Sequence, residues 1–133
     1  MLKSINNLSY FYLLPRELNK RFFIFFNRWI LKFNNVKFGR NVRIYNKFYL
    51  LKHLSAHISL GENFNFSSGS FFNPLSRNIK GSIYVGKNAS VCIGNNVGVS
   101  SACIWAANSI TIGDNVKIGS DSIILDTDCH SLA

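Results

Sequence analysis

Hydrophobic residues near the start of the chain recur at helical spacing. They fall three or four residues apart, which is typical of one face of an α-helix, and they are Leu14, Leu18, Phe22, Phe25, Phe26, Trp29 and Phe33. Basic residues form a second series of this kind with Arg16, Lys20, Arg28 and Lys32. Pro15 suits the first turn of a helix, where its missing N–H costs nothing. The sequence therefore predicts a basic, aromatic, amphipathic helix over residues 15–33.

Two interpretations of this helix remain open. Its aromatic face either covers one end of the domain or lies on an anionic membrane surface, because basic residues beside buried aromatics favour such a surface. A membrane-spanning helix is not predicted. The apolar run of residues 22–26 lies between Arg21 and Arg28, whereas a spanning helix needs about 20 mostly apolar residues.

From Phe38 onward the pattern changes to a short internal repeat. Each copy consists of an apolar residue, glycine, a polar residue, asparagine, and then an apolar residue or alanine. The copies begin at Phe38, Leu60, Val85, Ile93 and Ile112. Internal repeats of this kind outweigh local propensities in predicting a fold.

The C-terminal third divides into units of six residues with an apolar first position. The units begin at Ile93, Val99 and Trp105 and, after one extra residue (Thr111), at Ile112, Ile118 and Ile124. The fifth position is small in all units but the last, and is occupied by Val97, Cys103, Ser109, Val116, Ser122 and Asp128. We expect the aliphatic first position to point inward and the small fifth position to leave room for packing. Trp105 is large for an inward position and requires a local widening or an outward turn.

This repeat predicts a mainly β fold. Three units close a triangular coil, glycine and asparagine form its corners, and successive coils stack through parallel strand pairing. The result is a parallel β-helix whose ends need caps. We expect residues 1–35 to form the helical segment and residues 36–133 the β-helix domain, with residues 66–82 as a bulge or loop.

Composition and charge narrow the classes of function. The 133 residues suit one domain, and the net charge of +9 is concentrated at the front. Residues 1–57 carry eleven Lys or Arg and one acidic residue, whereas residues 58–133 carry four Lys or Arg and five acidic residues. No recognised nucleic-acid motif appears, so nucleic-acid binding is not predicted. The three cysteines lack CxxC spacing, which favours free thiols in the cytoplasm over a disulfide or metal site.

The end of the sequence carries the most specific motif. Residues 126–131 read Asp-Thr-Asp-Cys-His-Ser and directly follow two regular six-residue units. In this position they resemble the Asp-x-Asp-Phe-His-Ser/Pro motif of the hexapeptide-repeat, left-handed β-helix acyltransferases, and most closely the sugar O-acetyltransferases. The similar stretch covers about residues 83–132, with weaker copies back to Phe38. The resemblance implies a left-handed coil and transfer of an acyl group, taken to be acetyl, from acyl-CoA to a sugar hydroxyl of a surface polysaccharide or its precursor.

The resemblance also assigns candidate site residues. His130 matches the general base of the family, and neutral histidine can accept a hydroxyl proton near neutral pH. Asp126 or Asp128 would orient its ring, although both also suit turns. Ser100 and Ser101 on the preceding coil are candidate contacts for the acceptor sugar. No metal is expected, and the acyl-CoA donor, acetyl-CoA, has no assigned binding residues.

Assembly and completeness follow from the same resemblance. Family members commonly form trimers with active sites between subunits, so we expect a homotrimer. They also continue for several coils beyond the catalytic histidine, whereas this sequence has three residues after His130. We therefore expect the β-helix to be incomplete at its C-terminus. The alternative function is a catalytically inactive β-helix that serves as a binding or assembly module. The expected location is the cytoplasm, with contact to the inner membrane surface through residues 15–33.

Overall fold

The computed structural model describes residues 7–76 and 79–129, which form a helix followed by twelve short strands. The helix α1 covers Asn7–Phe33. The strands are β1 (Lys37–Phe38), β2 (Arg43–Tyr45), β3 (Tyr49–Lys52), β4 (His57–Leu60), β5 (Asn65–Ser67), β6 (Ser82–Val85), β7 (Ser90–Ile93), β8 (Gly98–Ser100), β9 (Cys103–Ala106), β10 (Ser109–Ile112), β11 (Lys117–Ile118) and β12 (Ile123–Leu125).

Three parallel sheets form the walls of the molecule. Sheet A has the order β1-β4-β7-β10, sheet B β11-β8-β5-β2, and sheet C β12-β9-β6-β3. Each strand is followed along the chain by a strand of the next sheet, so three strands complete a coil and the described residues make four stacked coils. Equivalent corner residues of consecutive coils are 22, 33 and 19 residues apart. This architecture confirms the prediction of a mainly β, parallel β-helix fold with an N-terminal helix.

The core runs along the axis of the coils because the strands alternate inward and outward side chains. In β6, β7, β9 and β10 the second and fourth residues are buried and the third is exposed. Phe64 and Phe66 fill the second coil and are fully buried, whereas aliphatic residues such as Val91 and Ile104 fill the third. One continuous hydrophobic core therefore extends through the stack.

An asparagine ladder forms the corner between sheets A and B. Asn41, Asn63, Asn96 and Asn115 all have φ between 56° and 60°, a conformation that asparagine tolerates better than most residues. Their side-chain amides are hydrogen-bonded in series, with N···O distances of 3.1, 2.9 and 3.2 Å. Four copies of the sequence repeat thus stack directly on one another. The copy that contains Asn88 lies instead at the corner between sheets C and A.

Trp105 turns outward, and this shifts the predicted frame of the units. In β9 the buried side chains are Ile104 and Ala106, while Trp105 between them is 38% exposed. The sequence placed the extra residue of this coil at Thr111, after Trp105. In the structure it comes before Trp105, next to Ser101, whose φ is 43°. Cys103 and Ser109, which the predicted frame placed at the small fifth position, both lie on the outer side of their strands.

The predicted loop between β5 and β6 folds back over sheet B. The ring of Phe72 lies 5.6 Å from that of Tyr45, and the guanidinium of Arg16 lies over the same Phe72 ring. The amide of Asn73 donates a hydrogen bond of 2.6 Å to the hydroxyl of Ser120. These contacts hold the loop against the helix and the fourth coil. The loop lengthens the distance in sequence between the corners of the second and third coils to 33 residues.

Helix α1 differs from the prediction in its length and in the face that it buries. Pro15 lies inside the helix and not at its first turn. The side chain of Asn27 is buried and donates two hydrogen bonds of 2.9 Å to the carbonyls of Ile44 and Asn46 at the open edge of sheet B. Leu31, on the same side, is 1% exposed and joins the core. The helix therefore covers the first coil with this face. Of the two interpretations that the sequence left open, the structure does not show the one in which the aromatic face covers the end of the domain.

Candidate active site

The predicted catalytic segment follows β12 at the corner between sheets C and A. Asp126 lies directly above the turn of the preceding coil, and its carboxylate accepts three hydrogen bonds from that turn. The backbone N–H groups of Ala107, Asn108 and Ser109 donate over 2.6, 2.8 and 2.6 Å. Both oxygens of Asp126 are engaged, so the start of the segment is fixed to the coil beneath it.

These hydrogen bonds affect the acidity of Asp126. Partial burial raises its pKa, but the N–H groups of Ala107, Asn108 and Ser109 together favour the charged form more strongly. The pKa of Asp126 therefore lies below its ordinary value of 3.8. The carboxylate is charged at neutral pH and acts as a fixed acceptor at this corner.

The next residues lead outward from the corner. Asp128 and Cys129 are both exposed. Cys129 has a φ of 60°, and its N–H donates to the hydroxyl of Thr127 over 3.1 Å, which closes a tight turn. His130 lies outside the described residues. Its role as a base and its pairing with Asp126 or Asp128 thus remain predictions.

Other corners of the solenoid use the same kind of acceptor. Asp114 accepts the N–H of Asn95 over 2.6 Å, and the side chain of Asn95 accepts the N–H of Glu62 over 2.8 Å. In each case a polar side chain of one coil caps the backbone of the coil before it. Asp126 therefore fits the pattern of a corner-forming residue, and it is distinguished by accepting three such bonds.

Ser100 and Ser101 occupy different environments. Ser100 lies on the outer face of β8, where its hydroxyl is 3.3 Å from that of Ser67 on the neighbouring strand. Ser101 is fully buried, and its hydroxyl accepts the N–H of Gly69 over 2.8 Å. Ser100 is therefore accessible to a ligand, whereas Ser101 anchors the loop between β5 and β6.

A groove on sheet B surrounds Ser100. It has a volume of about 390 Å³ and is lined by Tyr45, Ser67, Lys117 and the backbone around Gly98. The ammonium of Lys117 lies 3.3 Å from the carbonyl of Asn96, and its stem runs across Gly98, where there is no side chain. The groove thus presents hydroxyl and ammonium donors to a polar ligand. Sequence reasoning missed Tyr45, Ser67 and Lys117, since only the register of sheet B brings them together.

The groove and the catalytic segment are not adjacent within one chain. Ser101 precedes strand β9, whereas the turn beneath Asp126 follows it. The intervening strand spans about five residues, so the two features are about 16 Å apart at about 3.3 Å per residue. The structure therefore does not bring the predicted acceptor contacts next to Asp126 in a single subunit.

Neither comparison with known proteins nor a metal site within the described residues identifies a family or an activity for this chain. Comparison of the chain with protein-family models, curated proteins and solved structures finds no match. Within residues 7–76 and 79–129, no three His, Cys, Asp or Glu side chains are grouped in a way that could hold a metal ion. The chemistry of the site therefore has to be argued from the fold and the corner segment alone.

Proposed function

We propose that this protein is an acyl-CoA-dependent O-acyltransferase acting on a sugar hydroxyl of a surface polysaccharide or its precursor. The observation that carries the proposal is the position of residues 126–129, which directly precede His130 in the sequence. They leave the last described coil of a parallel β-helix at a corner fixed by Asp126. The left-handed hexapeptide acyltransferases, which the sequence resembles, carry their catalytic histidine in such a segment.

In the proposed reaction, His130 is the general base. Its neutral imidazole accepts the proton of the sugar hydroxyl as the oxygen attacks the thioester carbonyl. The tetrahedral oxyanion collapses to the ester as the carbon–sulfur bond breaks, and the imidazolium returns its proton to the departing thiolate of CoA. N–H donors are needed to stabilise the oxyanion. Atoms and protons balance without any further reactant.

The two aspartates have different parts in this proposal. Asp126 is a positioning residue, because its two oxygens already accept three N–H groups of the preceding coil. Asp128 is exposed and lies two residues before His130 in the sequence, and we assign it the role of orienting the imidazole of His130. A neutral histidine with one nitrogen held by a carboxylate keeps the other nitrogen free to accept a proton.

A homotrimer is part of the proposal, and the outer face of sheet C supports it. Leu51, Tyr84, Trp105 and Leu125 are in register on four adjacent strands and are between 38% and 60% exposed. We call this set the sheet C column. Exposed apolar patches of this kind are typical of interaction surfaces. If copies pack through sheet C, the corner that contains Asp126 lies at the rim of the contact, where a neighbouring subunit can complete the site.

The first test is acetyl-CoA binding by calorimetry, with the mass of the chain measured in solution. We expect binding by a trimer. A transfer assay with an acceptor panel then compares His130→Ala with His57→Ala, since His57 is exposed on β4, two coils before the strand whose Ser109 contacts Asp126. Loss of transfer in His130→Ala alone is expected. Transfer that survives His130→Ala would remove the proposed mechanism.

The second candidate function is a catalytically inactive assembly module, and the sheet C column is the observation that favours it. In that case the chain forms trimers but binds no acetyl-CoA at millimolar concentration. Trp105→Glu should then dissociate the trimer, because a charge would replace an aromatic side chain in the contact. For either function we propose a cytoplasmic location, since Cys92, Cys103 and Cys129 are free thiols and free thiols are typical of a reducing compartment.

A further inference from the structure

Helix α1 exposes its most hydrophobic side on the face opposite to the solenoid. Phe25 and Phe33 are 76% and 77% exposed, and Trp29 is 59% exposed. The stacked ring pairs Phe22–Phe26 and Trp29–Phe33, each 5.7 Å between centroids, lie along this side. We call it the aromatic stripe, and it comprises Leu14, Leu18, Phe22, Phe25, Phe26, Trp29 and Phe33.

The aromatic stripe is unpartnered because other residues already hold the helix on the first coil. At 100° per residue the stripe occupies roughly one third of the helix circumference, on the side away from Asn27 and Leu31. Asn27 and Leu31 are both 1% exposed. The stripe spans the rise from Leu14 to Phe33, which is about 28 Å at about 1.5 Å per residue. Helix α1 therefore exposes a long apolar surface on the side away from the solenoid.

Positive charges border the aromatic stripe along one edge. Arg21, Arg28 and Lys32 are exposed and lie seven and four residues apart, so they follow one line along the helix. The acidic residue of the described helix, Glu17, is 3.7 Å from the ammonium of Lys20. This edge of the stripe is thus basic. Its chemistry complements a surface that is both anionic and apolar.

We propose that helix α1 docks the protein on an anionic lipid bilayer. The aromatic stripe enters the boundary between headgroups and acyl chains, and Arg21, Arg28 and Lys32 contact lipid phosphates. The helix lies in the plane of the surface, since none of the described helices is long and apolar enough to cross a membrane. A second copy packed antiparallel fits less well, because it brings the two basic edges together on one side of the contact. This inference does not depend on the acyltransferase proposal.

Vesicle flotation of the full chain tests the docking. We expect the protein to float with vesicles of phosphatidylcholine mixed with phosphatidylglycerol, to bind phosphatidylcholine alone much more weakly, and to be released by salt. The variant Phe25→Ser/Phe33→Ser should lose at least about tenfold in binding. Its control is Leu54→Ser/Leu75→Ser, two residues that are 98% and 78% exposed elsewhere.

A charge variant tests the basic border separately. Arg21→Gln/Arg28→Gln/Lys32→Gln should weaken binding to anionic vesicles about a hundredfold, since each basic residue near such a surface contributes about fivefold. A matched control removes three exposed lysines of the solenoid: Lys37→Gln/Lys47→Gln/Lys87→Gln. Equal losses in the two triple variants would overturn the proposed orientation.

The two tryptophans of the chain report directly on which surface enters the lipid. In Trp105→Phe, brominated acyl chains should quench the fluorescence of Trp29, whereas in Trp29→Phe they should leave Trp105 unquenched. Quenching of Trp105 instead would overturn the proposal by placing sheet C in the bilayer. Absence of flotation would overturn the proposal as well. If Phe25→Ser/Phe33→Ser then lowers the molecular mass measured in solution, the aromatic stripe is instead a contact with a second copy of the chain.

Discussion

Substitution of Gly61 by alanine tests whether close contact between corners sets the spacing of the coils. A β-carbon at Gly61 would meet the carbonyl of Gly94 in the next coil and lie 2.7 Å from the nitrogen of Asn95. These are backbone atoms, so they cannot rotate away as a side chain would. The substitution also disturbs the hydrogen bond from the N–H of Glu62 to the side chain of Asn95, now 2.8 Å. The coils must separate locally to accept one methyl group.

The expected cost is substantial for a small domain. Overpacking lowers the free energy of unfolding by about 1–3 kcal/mol and the loss of the hydrogen bond by about 1 kcal/mol. Alanine also reduces the conformational entropy of the unfolded chain, which raises the free energy of unfolding by about 0.4–1 kcal/mol. The net loss in free energy of unfolding is therefore about 1–3.5 kcal/mol. At about 4 °C per kcal/mol for a chain of this size, Tm falls by about 4–14 °C. Thermal unfolding followed by far-ultraviolet circular dichroism measures it.

Gly113 provides the matched control. It occupies the same corner one coil after Gly94, and a β-carbon there has no atom within 4 Å. Gly113→Ala should therefore leave Tm unchanged or raise it slightly through the unfolded state. Equal losses of Tm in the two variants, or an unchanged Tm in Gly61→Ala, would refute the stacked-corner explanation.

Three further predictions concern the core, the corner segment and the cap. Ile104→Ala should lower stability by about 2–5 kcal/mol by opening a cavity, and Trp105→Ala by less at concentrations where the chain is monomeric, since its side chain is outside the core; the reverse order in Tm of the monomers would contradict the observed frame. Because the folded pKa of Asp126 is lowered, its contribution to stability is complete above about pH 4 and is lost as the pH falls through that lowered pKa. Asp126→Asn should therefore flatten this acid dependence of Tm, and an unchanged acid dependence would contradict the role assigned to its three hydrogen bonds. Asn27→Ala leaves two edge carbonyls of sheet B without their donor and should cost about 2 kcal/mol in chemical denaturation, and an unchanged midpoint would remove Asn27 from the cap.

The repeat predicted the fold because its chemistry is local. Glycine permits close stacking of coils and asparagine tolerates positive φ, so both residues mark corners wherever they recur. The frame around Trp105 was not predictable in the same way. Ile104 and Trp105 are adjacent and both apolar, and only the space inside the third coil decides which of them points inward.

The buried face of helix α1 could not be predicted, for a different physical reason. Hydrophobic spacing correctly identified one apolar side, but burial was decided by hydrogen bonding at the sheet edge. The amide of Asn27 satisfies two carbonyls that have no further strand to bond, and Leu31 fills the core beside it. A single buried asparagine carries no signal in a hydrophobicity pattern. The groove on sheet B escaped prediction similarly, since Tyr45, Ser67 and Lys117 come from three different coils.

The two proposals together constrain the acceptor. Helix α1 covers the first coil, whereas the segment that begins at Asp126 leaves the fourth. Three coil spacings of about 4.8 Å and a helix diameter of about 10 Å place the proposed active site about 24 Å from the membrane surface. A vesicle-bound enzyme should therefore acylate a lipid-linked saccharide with a long glycan, and leave unmodified a sugar attached directly to the lipid phosphate.

Transfer to these two acceptors, measured on vesicles and in detergent, tests this geometry. In detergent the membrane constraint is absent, so both acceptors should react. On vesicles only the long one should react, and Phe25→Ser/Phe33→Ser should remove the preference by releasing the enzyme from the surface. Equal transfer to both acceptors by the vesicle-bound protein would show that the catalytic corner reaches the bilayer. The axis of the coils would then lie along the membrane and not away from it.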